Sequence, residues 1–381
     1  MLSLWIESVF WGASLLLFHT SAGYPLVLEA LARVCPRPVH PIEPNPPPPV
    51  TVLLVARATE PRLDERIQNL AGLDYPADRL GCVLVRDGGN AADAPPVPPS
   101  PLPLRVIDLP AGSGKPAGLN AGIAAIAGGI VVFADARQDF ARDAVRRLVR
   151  NFGDPEIGAV SGALEIRKAT TATGSGVDTY WRIEKRIRWN ESRTGSCVGC
   201  TGAIYAARRE LLTPIPEDTW LDDVLIPMRI AQLGARVLFE PDARAFDPQP
   251  LEPETENRRK PRTLGGNIQL LVRHPAWILP GVGRLWWRYL SHKALRLTGP
   301  ALLAILFLTG AALAPLNPFY AALFAGQLTL YLLGFTGILS HARNPLLRFP
   351  AGFLFLNAMV IRGFAFWWQN RGRRTWATPT A

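Results

Sequence analysis

A long stretch without charged side chains near the C-terminus limits what this chain can fold into. No Lys, Arg, Asp or Glu occurs between Arg296 and Arg343. A proline-bearing turn at 315–318 divides the stretch into two apolar runs, Leu297–Leu313 and Phe319–Leu339. About 20 apolar residues form a helix long enough to cross the hydrocarbon core of a bilayer. The sequence therefore predicts two membrane-spanning helices in this part of the chain.

A similar apolar run, Ser8–Leu28, lies near the N-terminus and contains no charged residue other than His19 when it is protonated. No basic segment precedes it and no clear small-residue cleavage site follows it, in contrast to a secretory signal peptide. Arg33 and Arg37 come directly after it, and basic residues gather on the cytosolic side of membranes. We therefore predict one spanning helix within residues 1–33 and a cytosolic chain after it.

The last apolar run, Phe349–Trp368, contains Arg362 near its middle. A charge inside a bilayer is costly unless it faces protein or water. This run therefore either crosses the membrane with Arg362 facing protein or lies in the interface. A third C-terminal crossing would place the arginines after residue 370 outside, against the positive-inside tendency, and the alternatives stay open. The C-terminal membrane region is assigned to residues 293–381, with two to three helices.

Charge is divided unevenly along the chain. After Glu256 there is no acidic residue but there are 15 Lys and Arg, whereas the preceding part carries all 31 acidic residues. The basic residues flank apolar runs, which favours anionic membrane lipids as partners and argues against nucleic acid. Residues 257–292 mix basic residues with tryptophans, and Asn267–Tyr289 within them is amphipathic, which predicts a juxtamembrane segment at the interface. An ordinary soluble helix is the alternative.

The middle of the chain has the alternation of an α/β domain. A proline-rich linker at 34–49 precedes apolar runs that predict four strands separated by helical segments. Asp87 and Asp135 each follow a strand, and ligands bind at this edge of open α/β sheets. A glycine-rich loop at 111–122 carries Lys115. The predicted strands are Val50–Ala56, Cys82–Arg86, Leu104–Leu109 and Ile130–Ala134, and the predicted helix between the first two is Glu60–Leu73.

Seven segments in order resemble the motifs of one enzyme family. They read VLLVARATE (52–60), VRDGG, GSGKPAGLNAG, VVFADARQDF, TGSCVGCTGAIYAARRELL (194–212), TWLDDVLIPMRI (219–230) and ENRRKPRTLGGNIQLL (256–271). The series resembles membrane-bound family 2 glycosyltransferases with the GT-A fold, particularly the cellulose, chitin, hyaluronan and poly-N-acetylglucosamine synthases. The resemblance implies a Rossmann-like, nucleotide-sugar-binding GT-A domain at residues 50–256.

The resemblance also implies a donor site. Asp87 would accept hydrogen bonds from the base or ribose, Lys115 and Arg262 would hold the diphosphate, and Asn120 would position a loop or contact the donor. Turn formation at Asp87, a flexible basic loop around Lys115 and lipid binding at Arg262 are the alternatives. The donor-binding residues implied are Val55, Arg57, Glu60, Asp87, Lys115, Asn120, Asp135 and Arg262.

A divalent cation, Mg²⁺ or Mn²⁺, is also implied by the resemblance, with Asp135 as its ligand. Such hard cations prefer carboxylate and phosphate oxygens and neutralise a diphosphate leaving group. The family motif has a second Asp where this sequence has Arg137. Asp139, two residues further on, is the alternative second carboxylate.

The resemblance assigns the acceptor side to three elements. Gly199, Thr201 and Gly202 would let a sugar approach the backbone, and Trp181 would stack on it or pack in the core. Asp223, beside Asp222 at a predicted helix start, would take the proton from the acceptor hydroxyl. Helix N-capping by the Asp pair is the alternative.

These expectations describe a metal-dependent, inverting glycosyltransferase of a bacterial inner membrane with a cytosolic catalytic domain. It would move a sugar, from UDP in the favoured case, to a growing exopolysaccharide. A Gln and a Trp of the synthase motif are absent near Arg262, and four crossings make a narrow channel, which calls for an oligomer or an export partner. The alternatives are transfer of one sugar to a membrane lipid, such as polyprenyl phosphate or a sphingolipid-like acceptor, and a non-catalytic scaffold subunit of a synthase.

Overall fold

The computed structural model describes residues 2–92, 94–167, 172–250, 253–340 and 344–373. The chain divides into two compact units. The sheet unit comprises residues 32–167, 188–249 and 372–381, and the helical unit comprises residues 1–31, 168–187 and 250–371.

One mixed β-sheet forms the centre of the sheet unit. Its strand order, in the part of the chain that the structure describes, is β3-β2-β1-β4-β7-β6-β8-β5. The first four strands along the chain are parallel neighbours, and β7 runs antiparallel to β4. The strands are β1 Val50–Arg57, β2 Leu80–Asp87, β3 Leu104–Leu109, β4 Ile130–Ala134, β5 Asp139–Phe140, β6 Ile157–Arg167, β7 Ile204–Arg208 and β8 Arg236–Pro250.

The four predicted strands are all present, and β1 and β2 are slightly longer than predicted. Strand β1 is almost continuously apolar because both faces of a parallel sheet are covered by helices. The helices of this unit are α3 Leu63–Ala71, α4 Gly114–Ala125, α5 Ala144–Val149 and α7 Asp222–Gln232. Helix α4 packs closely on β1: a Cβ at Gly118 would overlap Val55 Cγ1, and one at Gly122 would overlap Leu53 Cδ1.

The helical unit contains the apolar runs. Among the described residues, four helical stretches are long and apolar enough to cross a membrane: Ser3–Val34, Trp286–Leu313, Pro318–Leu339 and Leu346–Gln369. The helices are α1 Leu2–Phe18, α2 Tyr24–Val34, α6 Ala172–Thr194, α8 Pro253–Arg273, α9 Trp286–Tyr289, α10 Gly299–Leu313, α11 Pro318–Leu339 and α12 Pro345–Gln369. A π-helical segment, His19–Gly23, joins α1 to α2, and α2 and α6 each extend into the sheet unit.

Short polar signals start the last two helices. Asn317 and Asn344 are their N-caps, and each side-chain oxygen accepts a hydrogen bond from the amide two residues later, at 2.8 and 3.0 Å. A proline follows each asparagine, at the position where its missing N–H costs nothing. Arg362 lies on α12 and donates to Asn257 Oδ1 of α8 at 2.8 Å, so its guanidinium contacts protein. The predicted amphipathic stretch is divided between the end of α8 and the short helical turns that follow it.

Candidate active site

The candidate site lies at the carboxyl edge of the parallel strands, within the sheet unit. Asp87 is the last residue of β2, and its Oδ1 accepts a hydrogen bond from the Ser113 amide at 3.0 Å. Gly112 and Gly114 flank Ser113 with φ of +81° and +83°, a conformation that favours glycine. The glycine-rich loop is therefore held against the end of β2, directly before α4 begins.

Lys115, in the first turn of α4, is surrounded by carboxylates. Its Nζ lies 3.0 Å from Asp135 Oδ1 and 3.4 Å from Asp222 Oδ2, and its side chain is 19% exposed. Burial lowers the pKa of Lys115, but Asp135, Asp222 and Asp223 raise it by more, so its pKa lies above the ordinary value. The ammonium group therefore stays charged and links the end of β4 to the start of α7.

The two aspartates at the start of α7 differ in their surroundings. Asp222 is 11% exposed and pairs with Lys115, whereas Asp223 is half-buried and accepts a hydrogen bond from the Gly202 amide at 3.1 Å. Burial and the neighbouring Asp222 raise the pKa of Asp223 to about 6, against the lowering effect of Lys115 and Arg188. This pKa gives Asp223 the proton affinity of a general base near neutral pH. The N-cap position of α7 is occupied by Leu221, with no side-chain cap bond, and not by an aspartate.

The loop at 199–202 is built onto Asp223. The Cys200 amide donates to the Asp223 carbonyl oxygen at 2.8 Å, and the Thr201 amide donates to Ser161 Oγ at 2.9 Å. A Cβ at Gly202 would lie 3.0 Å from Asp223 Oδ2, so a side chain there would crowd the carboxylate. Hydrogen bonds thus join the predicted acceptor-side loop directly to the predicted base.

The residues available for a metal ion are few. The Arg137 guanidinium pairs with Asp247 at 3.1 Å, and Asp139 pairs with Arg62 at 2.8 Å. No group of three or more His, Cys, Asp or Glu is arranged for a metal in the described ranges. Mg²⁺ commonly binds through one or two carboxylates plus substrate phosphates. Asp135, with its side chain 36% exposed, fits as a single protein ligand that a donor diphosphate would complement.

A profile of the family described as glycosyl transferase family group 2 matches residues 130–338, more than half of the chain. The chain belongs to this family. The matched region begins at β4 and contains Asp135, the 199–202 loop and both aspartates of α7.

Curated relatives match this chain over part of their length. A beta-monoglucosyldiacylglycerol synthase of Synechocystis sp. is 34% identical over 131 residues, which are 32% of this chain and 26% of the relative. An N-acetylglucosaminyltransferase of Rhizobium meliloti is 28% identical over 237 residues, which are 54% of this chain and 52% of the relative. The chain spans between about a quarter and just over half the length of the curated relatives it matches.

A solved structure matches nearly the whole chain. It is a mannosyltransferase from Pyrobaculum calidifontis in complex with GDP-Man and Mn²⁺, with a TM-score of 0.69 and 22% identity. The match covers 96% of this chain and 99% of that chain. The likeness confirms the predicted GT-A fold with accompanying apolar helices.

The remaining predicted site residues lie in different places. Asn120 holds a loop, because its side chain donates to the Ile215 carbonyl at 2.8 Å and accepts from the Ile215 amide at 2.9 Å. On β1, Val55 is buried, and Arg57 at the strand end is exposed, opposite Asp87 in the sheet register.

Glu60, Trp181 and Arg262 complete the predicted set. Glu60 lies in the turn after β1, and its Oε1 accepts a hydrogen bond from the Arg62 amide at 3.4 Å. Trp181 and Arg262 belong to the helical unit, where the Trp181 ring lies 5.1 Å from Lys260 Nζ and Arg262 is exposed on α8. Their predicted contacts with substrate stay predictions.

Two residues beside the site were missed by the sequence motifs. Arg188 of α6 donates a hydrogen bond to Thr201 Oγ1, but several arginines occur on this helix and their spacing does not single out one. Tyr205 of β7 is fully buried and stacks on Phe133 with ring centroids 4.2 Å apart. Within the described residues its hydroxyl has no hydrogen-bond partner. The acceptor-side motif contains Tyr205 but did not assign it a role.

Proposed function

We propose that this protein transfers a sugar from a nucleoside diphosphate sugar to an acceptor hydroxyl at a membrane, with inversion at the anomeric carbon. One observation carries the proposal: Asp223 is a half-buried carboxylate with a pKa of about 6 and is hydrogen-bonded to the 199–202 loop. The four long apolar stretches support membrane attachment. The positive-inside tendency supports a cytosolic sheet unit and, with bacterial relatives, an inner-membrane location.

Asp223 is the general base in this proposal. Its carboxylate takes the proton of the acceptor hydroxyl as the oxygen attacks the anomeric carbon and the diphosphate leaves. A base with a pKa just below neutral pH is ionised in the cell and still has appreciable proton affinity. Asp222 has a different role. Its pairing with Lys115 fixes the start of α7, and its negative charge raises the proton affinity of Asp223.

Lys115 and Asp135 serve the donor side. The ammonium group of Lys115, at the beginning of α4, is suited to the negative charge of a diphosphate, as is the N-terminus of the helix. A divalent cation bound by Asp135 and donor phosphate oxygens would neutralise the leaving group. Asp87 and Val55, at the ends of adjacent strands, are proposed to contact the nucleoside.

Two acceptor classes remain as proposals. The motif resemblance to polysaccharide synthases supports a growing polymer as the acceptor and a UDP-sugar as the donor. The 34% identity to a beta-monoglucosyldiacylglycerol synthase over 131 residues supports a membrane lipid that receives one sugar. Both use the same base and donor site, and the size of the product distinguishes them.

The test uses the purified full chain in nanodiscs with Mg²⁺ or Mn²⁺. UDP-glucose, UDP-N-acetylglucosamine, UDP-galactose and GDP-mannose are screened for nucleotide release, and the product is sized by mass spectrometry. Asp223→Asn is expected to lower transfer by about 10²- to 10⁴-fold and to leave the donor dissociation constant unchanged, because the amide keeps the shape but takes no proton.

Asp242→Asn is the matched control, since this aspartate is 65% exposed and 3.6 Å from Arg147, and its activity should equal the wild type. An Asp223→Asn variant with near-normal transfer would remove this residue as the base. Wild-type protein without turnover of any donor would favour the scaffold alternative.

A further inference from the structure

Arg188 occupies a position beside the base that the proposed mechanism does not yet use. It lies on the part of α6 that belongs to the sheet unit, and its side chain is half-buried. Its Nη1 donates to the Thr201 hydroxyl oxygen, and its carbonyl oxygen accepts from Cys197 Sγ at 3.2 Å. This stretch of α6 therefore contacts the acceptor-side segment at two points.

The contact with Thr201 acts next to the bonds that hold Asp223. The amides on either side of Thr201, those of Cys200 and Gly202, donate to the Asp223 carbonyl and carboxylate at 2.8 and 3.1 Å. The Thr201 amide is fixed separately by Ser161. A guanidinium bound to the Thr201 side chain therefore restrains the one residue between the two amides that bond to the base.

Charge gives Arg188 a second effect. Four charged groups act on the Asp223 carboxylate: Asp222 of α7, Asp135 after β4, Lys115 of α4 and Arg188 of α6. The two aspartates raise the pKa of Asp223, and Lys115 and Arg188 lower it. Lys115 pairs directly with Asp135 and Asp222. Arg188 is a second positive charge that acts on Asp223.

We propose that Arg188 is a positioning residue for transfer, which holds the 199–202 loop against Asp223 and keeps a positive charge beside its carboxylate. The proposal rests on the role of Asp223 as base. It assigns two separable contributions to one side chain: a hydrogen bond to Thr201 and a charge near Asp223.

Three variants of the full chain in nanodiscs separate these contributions. Arg188→Gln removes the charge and the guanidinium, Arg188→Lys keeps the charge, and Thr201→Val removes the hydroxyl acceptor and keeps the shape. Arg186→Gln is the control, because this exposed arginine of the same helix pairs with Glu29 at 2.6 Å. Two quantities are measured: the pH dependence of kcat/KM, and amide hydrogen exchange in peptides covering 199–202.

Arg188→Gln should move the acid limb of the pH profile upward by up to about 1 unit, because it removes a positive charge that lowers the pKa of Asp223. It should also speed exchange of the Cys200 and Gly202 amides. Arg188→Lys should return the acid limb close to the wild-type value. Thr201→Val should speed exchange without moving the limb, and Arg186→Gln should change neither quantity.

Two outcomes would overturn the proposal. Unchanged exchange in both Arg188→Gln and Thr201→Val would show that the hydrogen bond does not restrain the loop. An acid limb that stays in place in Arg188→Gln, while Asp223→Asn is inactive, would show that the charge does not act on the base. Failure of the proposed function is distinguishable, because it would appear as turnover by Asp223→Asn, and the exchange measurement requires no turnover.

Discussion

The two units place their apolar side chains in opposite ways. In the sheet unit, Leu54 of β1 is 0% exposed, whereas in the helical unit Leu332 and Leu339 of α11 are 69% and 76% exposed. Water disfavours exposed apolar surface, and large exposed apolar patches mark contact with another phase or molecule. The difference indicates that the sheet unit buries its apolar side chains in a core, whereas the helical unit presents apolar surface suited to contact with lipid or another molecule.

Buried charge is also arranged differently in the two units. In the sheet unit three carboxylates surround one Lys115, which leaves negative charge at the strand ends. In the helical unit Glu184 is buried and contacts His292, Lys293 and Arg296 at 2.9, 3.4 and 2.7 Å. The site in the sheet unit therefore has more carboxylates than cations, whereas the buried carboxylate of the helical unit contacts three basic side chains.

The largest expected effect comes from Lys115→Met in the sheet unit. Removing one partner of a buried ion pair typically costs about 3–5 kcal/mol, because uncompensated charge remains. The folded-state pKa of Lys115 is raised, so its stabilisation is fully present below the unfolded-state pKa and is lost only in strongly alkaline solution. The variant should therefore have a lower free energy of unfolding than the wild type at every pH between 6 and 9, as measured by thermal unfolding in detergent. It should also lose transfer.

Lys260→Met is the control for this variant, because this lysine belongs to the helical unit and its ammonium lies over the Trp181 ring, where such a contact contributes about 0.5–1 kcal/mol. Equal losses of stability in the two lysine variants would contradict the difference in buried charge between the units.

A pair of leucine truncations tests the difference in solvent. Leu54→Ala should lower the stability of the sheet unit by about 2–5 kcal/mol, since a cavity remains in a closely packed core. Leu332→Ala should change stability by less than about 1 kcal/mol, because a lipid-exposed side chain leaves no cavity. Thermal unfolding and hydrogen exchange of the full chain in nanodiscs measure both, and a large cost at Leu332 would show that α11 packs against protein on this face.

The smallest expected effect is a pair of shifts in Tm at pH 8, whose signs differ between variants of Asp223 and Glu184. The folded-state pKa of Asp223 is raised to about 6, so its ionisation costs stability as pH rises from the ordinary aspartate pKa to about 6, and the full cost remains above pH 6. Asp223→Asn should therefore raise the apparent Tm at pH 8, by roughly 2–4 °C for each 1 kcal/mol relieved, and should change it little at pH 4.

Glu184 should show the opposite sign. Burial raises the pKa of Glu184, but the three basic side chains in contact with it lower the pKa by more, so that it lies well below the ordinary value. Its contribution is present above the unfolded-state pKa and is lost only at lower pH, so Glu184→Gln should lower the apparent Tm at pH 8. The same sign in both variants would contradict the different charge surroundings of the two carboxylates.

Much of the fold could be predicted because local pattern and tertiary structure agree. Apolar β1, the glycine-rich loop before α4 and the acidic start of α7 all lie where their sequences indicated. The contacts of the site could not be predicted in the same way. Nothing in the spacing of arginines on α6 pointed to Arg188, and nothing in β7 showed that the Tyr205 hydroxyl would be buried without a partner in the described chain.

The sequence by itself determined the first four strands and the apolar helices, because strand patterns, glycine loops and charge-free runs are local properties, and its motif resemblance implied the GT-A fold. Only the tertiary structure decided that Lys115 pairs with Asp135 and Asp222, that Arg137 pairs with Asp247, and that Asp223 is bound to the Gly202 amide. These partners are far apart in the chain, and their proton affinities depend on burial and on distances of a few ångströms, which only the packed structure sets.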